Sequence, residues 1–146
     1  MTCDSAEWRL SCSRVASFDA RLSRTLLVEA FTPLERAYSG ARRGSQGFAG
    51  RLAAKYAAAA VLEAGADDHG TLRRFQILPM PRTECRDPVR CRRGHPPALA
   101  LDPGFGLVDD GSLLWIDISI SHEREHAFAA SLAIVRPLAA TGRQGG

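Results

Sequence analysis

The chain has 146 residues, a formal net charge of +3, an isoelectric point of about 8.9 and a hydrophobic fraction of 45%. That length points to one globular domain, large enough to bury a core without disulfide or metal staples. The charge is too small for a polybasic nucleic-acid tail, and no apolar run approaches the roughly 20 residues of a membrane span. The opening MTCDSAEWRL has no basic start followed by an apolar core, and the cysteines (Cys3, Cys12, Cys85, Cys91) form no CxxC pair. The expectation is a cytoplasmic protein with reduced thiols, a domain over 1–138 and a flexible tail at 139–146. Lys plus Arg is 19, yet Lys55 is the only lysine; arginine suits bidentate grip on phosphates and carboxylates.

In chain order, Val15, Phe18, Leu22, Leu26 and Leu27 recur at helical spacing and predict a helix over 13–30. Arg14, Arg21 and Arg24 make up its basic outer face. Thr32 followed by Pro33 predicts the capped start of a second, short helix. The run SGARRGSQG at 39–47 predicts a basic loop. Residues 48–64, FAGRLAAKYAAAAVLEA, predict the strongest helix, with Phe48, Leu52, Tyr56 and Ala59 on one stripe and Gly65 as its stop. Arg51 and Lys55, four apart, share a neighbouring face.

Residues 71–78 predict a strand, 79–97 an irregular Pro-, Arg- and Cys-rich loop, and 98–101 a short strand. Residues 113–121, LLWIDISIS, alternate: Ile116, Ile118 and Ile120 face one side; Asp117, Ser119 and Ser121 face the other. Residues 127–135 predict an apolar strand that closes a hairpin with it. The fold class is α+β, an antiparallel sheet packed on a long helix.

Three segments in this order resemble the holo-acyl-carrier-protein synthases, the small class of 4'-phosphopantetheinyl transferases. Cys3-Asp4-Ser5-Ala6-Glu7 is similar to that family's G-x-D-x-x-E stretch. The helix segment from Phe48 to Ala57, FAGRLAAKYA, is similar to F-x-x-R-F-A-x-K-E-A. Ile118-Ser119-Ile120-Ser121-His122 is similar to V-S-[IL]-[ST]-H. Phe31-Thr32 with Glu35, and Gly94 with Pro96, add weaker matches. The resemblance implies a homotrimer with sites between subunits, coenzyme A as donor of phosphopantetheine, an acyl carrier protein as acceptor, and magnesium held by carboxylates. It puts Arg51, Lys55, Ser121 and His122 at the phosphates and Asp4 at the metal.

The departures are equally specific. The helix carboxylate of the pattern is Tyr56 here, the lysine four residues on is Ala60, and the histidine before the Ser-His run is Asp117. A neutral phenol is a poor magnesium ligand. Asp117, partly desolvated on its strand, would fit a general base, and Tyr56 a donor to a developing oxyanion. The bland alternatives are an arginine partner for Asp117, core packing for Tyr56 and solvated charges for Arg51 and Lys55. Three readings therefore stand open: a phosphopantetheinyl transferase; a repurposed enzyme acting on a carrier- or coenzyme-A-bound acyl chain through Lys55, Tyr56 and Asp117; and a non-catalytic carrier-protein or coenzyme A binder. No aromatic-basic motif supports nucleic-acid binding.

Overall fold

A computed structural model describes residues 5–16, 24–42, 44–65, 68–79, 96–101 and 111–136. Strand β1 (Glu7–Ala16) is followed by helices α1 (Arg24–Ala30), α2 (Pro33–Arg42), α3 (Gly44–Val61) and α4 (His69–Arg73). Strands β2 (Phe75–Pro79), β3 (Pro97–Leu101), β4 (Leu113–His122) and β5 (His126–Val135) complete the order. The described strands form an antiparallel three-stranded sheet, β1-β5-β4, and an antiparallel pair, β2-β3. This is the expected α+β class.

The centre of the molecule is α3 laid across the inner face of the large sheet. Ala49, Ala53, Ala54, Ala57, Ala58 and Ala59 are all fully buried. A helix apolar on most of its faces belongs inside a protein, and methyl side chains let it approach a sheet closely. The sheet answers with Ala127, Ala129 and Ala133, also small and buried. Ala53, Ala54, Ile77, Ile118 and Ala129 form one packed cluster. Phe31, Leu52, Leu72 and Phe75 form another, with Phe48 and Tyr56 packed against it.

Helix α3 ends without a glycine. Glu63 takes the left-handed conformation, φ 55°. Glu63 N donates to Ala60 O at 3.2 Å and Ala64 N to Ala59 O at 2.8 Å, the paired bonds of a Schellman end. Gly65, expected as the stop, lies beyond it.

The β4–β5 hairpin follows the expected register, with Ile118 opposite Ser131 and His122 opposite Ala127. An irregularity between Leu113 and Trp115 shifts the pairing near the start of β4, and both Leu114 and Trp115 are exposed. Pairing of Pro79 with Pro97 closes the far end of β2-β3.

Several boundaries differ from expectation. Of the helix expected over 13–30, residues 13–16 end β1 and 24–30 form α1. Strand β1 points Trp8 and Leu10 outward, 64% and 69% exposed, and turns half-buried Arg9, Ser11, Ser13 and Val15 inward. Its inner face is thus largely polar, with Val15 alone packing against the core clusters. Arg14 of the expected basic helix face lies on the strand, and Arg21 lies outside the described residues, with the rest of 17–23. The loop expected at 39–47 is largely the end of α2 and the start of α3. Residues 71–73 close α4, whose Asp68 cap accepts from Gly70 N at 2.9 Å, so β2 begins only at Phe75. The loop expected at 79–97, apart from its ends, and the tail at 139–146 fall outside the described residues.

Candidate functional site

Where α3 meets β4, the chain leaves a pocket of about 240 Å³. Gly47, Gly50 and Arg51 form its helical wall, and Ile120 and His122 the wall from β4. Tyr38 of α2, with Pro79 and Pro97 from the small sheet, completes it. The two walls touch at Gly50. A Cβ there would lie 2.5 Å from His122 Cε1 and 2.9 Å from Ile120 Cγ2. Glycine inside a helix costs about 1 kcal/mol against alanine, and here that cost lets the imidazole come down onto the helix.

Arg51 is held on three sides. Its Nε donates to Ile77 O at 3.0 Å, its Nη1 donates to Gly47 O at 3.2 Å, and its guanidinium carbon stacks 4.6 Å from the centre of the Tyr38 ring. The side chain is 8% exposed. A guanidinium fixed this way beside an imidazole is suited to a phosphate, because a planar fork grips oxyanions bidentately and loses little freedom in doing so.

Lys55, expected at the phosphate, is elsewhere. Its ammonium is fully buried and donates to Glu35 Oε1 at 2.9 Å, Leu72 O at 3.0 Å and Phe75 O at 2.7 Å. An ammonium has three hydrogens and all three are committed, so Lys55 serves the interior. Burial is the dominant influence on both partners: it lowers the lysine's pKa and raises that of Glu35, while their mutual attraction opposes each change. Lysine's compact charge suits this enclosed position.

The proposed acid–base pair is not assembled within one chain. Tyr56 is half-buried and packs on the Phe31–Leu52 cluster. Asp117 is exposed on the outer face of the sheet, where its Oδ1 accepts from Ile118 N at 2.8 Å. Helix α3 lies on the opposite face, so the two side chains are separated by the sheet, and Asp117 lacks the partial desolvation expected of it. Ser121 is also exposed on the outer face and does not line the pocket. Of the expected phosphate ligands, the fold gathers Arg51 and His122.

Asp4 lies outside the described residues. Among the described residues, no group of three His, Cys, Asp or Glu side chains could hold a metal ion, and the position of the pattern's second carboxylate is a core tyrosine. Magnesium binds through hard oxygen ligands, usually carboxylates with phosphate oxygens. The described donor set does not fit it.

Sequence reasoning missed Gly50, Tyr38 and the role of Glu35. An isolated glycine in the strongest helix was the available signal for the first; nothing local marks the other two, since their partners come from β2 and α3.

No family model matches the chain, and no curated protein matches it. Solved structures do. Apo-ACPS of Chronobacterium ammoniagenes superposes with a TM-score of 0.69 at 23% identity, covering 91% of this chain and 100% of that one. This chain has the fold of the holo-acyl-carrier-protein synthases. The complex of the Chronobacterium ammoniagenes protein with coenzyme A gives 0.68 at 23% identity, over 90% and 99% of the two chains. The Helicobacter pylori holo-[acyl-carrier-protein] synthase, also in complex with coenzyme A, gives 0.65 at 18% identity, over 86% and 99%. In that fold Lys55 matches the lysine of the helix pattern, and Tyr56 stands where the pattern has its carboxylate. No helix among the described residues is long and apolar enough to cross a membrane.

Proposed function

We propose that the pocket between α3 and β4 binds the phosphate-bearing pantetheine arm of coenzyme A, and that the chain is a divergent holo-acyl-carrier-protein synthase. The convergence of Arg51 and His122 on one pocket, in a fold shared with two coenzyme A complexes, carries this reading. A carrier-protein serine oxygen attacks the phosphorus nearer the pantetheine. The bond from that phosphorus to the bridging oxygen breaks, the nucleotide leaves with the electron pair, and the serine proton passes to solvent or to the leaving phosphate. Arg51 and His122 supply charge to the transferring group, and catalysis of this kind rests on positioning and electrostatics.

A second reading, a coenzyme A or carrier-protein binder without turnover, is favoured by Tyr56 packing where the synthase pattern has a carboxylate. Two measurements separate them. Calorimetric titration of coenzyme A, with magnesium and with chelator, should give binding that weakens about 10- to 100-fold in Arg51→Gln and in His122→Ala. That is the effect of losing a charge-assisted hydrogen bond of about 1.5–3 kcal/mol. Mass spectrometry of an apo-carrier protein incubated with the chain, coenzyme A and magnesium should show the phosphopantetheine mass. Coenzyme A binding without that mass gain assigns the second reading, and absence of affinity for both coenzyme A and an apo-carrier protein, titrated in the same way, rejects both.

The chain also fits a homotrimer whose sites lie between copies. Supporting this, the outer face of the large sheet carries Trp8, Leu10, Trp115 and Phe128, all exposed in the single chain. Unpartnered apolar surface of this kind marks an interaction face. Leu10→Glu with Phe128→Glu should convert a trimer into monomers in sedimentation equilibrium; a wild-type chain that sediments as a monomer would refute the assembly.

A further inference from the structure

Strand β2 turns the main chain of Ile77 toward the helices, and side chains cap both of its polar groups. Ile77 N donates to Glu35 Oε1 at 3.3 Å, and Ile77 O accepts from Arg51 Nε at 3.0 Å. The same Glu35 oxygen takes the Lys55 ammonium, which in turn holds Leu72 O and Phe75 O. A carboxylate on α2 and a guanidinium on α3 therefore meet through one peptide residue. We infer that Glu35 is a positioning residue: through Ile77 it sets where the Arg51 guanidinium sits in the pocket.

Glu35 is 0% exposed and does not line the pocket, so it acts on a ligand only through another group. A buried ion pair is weak evidence for stability, because apolar residues of similar volume often serve as well. Glu35 is an expensive choice here, since burial opposes its charge and its Oε2 has no partner among the described residues. An apolar replacement could fill the space but could not accept from Ile77 N. A β2 edge left uncapped there would turn toward other partners and carry Ile77 O, the rest for Arg51 Nε, with it.

The inference rests on the pocket reading for its consequence, but its geometry can be tested without a ligand. Two double variants remove the buried charges together: Glu35→Gln with Lys55→Met, which keeps an acceptor for Ile77 N, and Glu35→Leu with Lys55→Met, which does not. The readout is water exchange of the Arg51 Nε–H proton in the nitrogen-15 NMR spectrum of folded protein. Exchange at least tenfold faster in the leucine variant, with the glutamine variant near wild type, is expected. Equal rates in the two overturn the inference. If the leucine variant fails to fold, Glu35→Asp, which withdraws the carboxylate by one methylene, takes its place with the same two outcomes. Coenzyme A titration then follows: the fast-exchanging variant should bind about tenfold more weakly than the glutamine variant. No such difference in a wild-type background that binds coenzyme A overturns the positioning role. A wild-type chain that takes up no coenzyme A, while the exchange contrast is present, defeats the pocket reading and leaves the positioning of Arg51 standing.

Discussion

Lys55→Met alone should lower the unfolding free energy by about 3–5 kcal/mol, read by urea denaturation at neutral pH, because it strands a charged partner in the interior. The stranded group is Glu35, fully buried and left with Ile77 N as the one hydrogen-bond donor to its carboxylate among the described residues. Pairing the change with Glu35→Gln should recover much of the loss, since the interior is then neutral and the acceptor remains. The pH dependence follows from the direction of the shift. Burial already raises the Glu35 pKa above its ordinary 4.5, and the Lys55 charge is the largest influence holding it down. Without that charge the folded variant keeps the proton to still higher pH than the unfolded chain does. The stability contributed by neutral Glu35 is complete below the ordinary value and is lost as pH rises through the folded value. The deficit relative to wild type should therefore be smallest in acid and grow toward neutrality. A deficit that does not change with pH would contradict the assignment of Glu35 as the stranded charge.

Gly50→Val should abolish the pocket while leaving the sheet intact. Its Cβ falls 2.5 Å from His122 Cε1 and 2.9 Å from Ile120 Cγ2, distances that real Cβ atoms do not sustain, and the two γ-methyls add further bulk. Overpacking of this kind costs about 1–3 kcal/mol. The imidazole is the group with room to move, so the ligand loses His122 as well as the volume beside Arg51. Coenzyme A affinity should fall about 100-fold, equivalent to roughly 2.7 kcal/mol. Gly50→Ala makes the comparison informative: it carries the same Cβ collision but gains about 1 kcal/mol of helix propensity. Its stability should stay nearer wild type while its affinity still drops. Unchanged affinity in either variant, measured by calorimetry on folded protein, would mean that coenzyme A does not use the contact between α3 and β4.

Local pattern settled the parts of this protein whose signal and partner are close in the chain. The alanine run reads as the strongest helix. The alternation from Ile116 to Ser121, followed after a short polar segment by a second apolar run, reads as a hairpin, and both are in the structure. The motif segments likewise led to the synthase fold, and two of their residues, Arg51 and His122, line one pocket. Helical spacing misled at residues 13–16, because β1 pairs with β5 more than a hundred residues away and its inner face is mostly polar. The role of Lys55 was equally illegible. Whether a lysine four residues after an arginine reaches a phosphate or a buried carboxylate depends on what α2 and β2 place above it. Here they place Glu35 and two main-chain carbonyls. Sequence fixes which charges exist and where they repeat along a helix; only packing decides which of them water can reach, and that decided which cation serves the core and which serves the pocket.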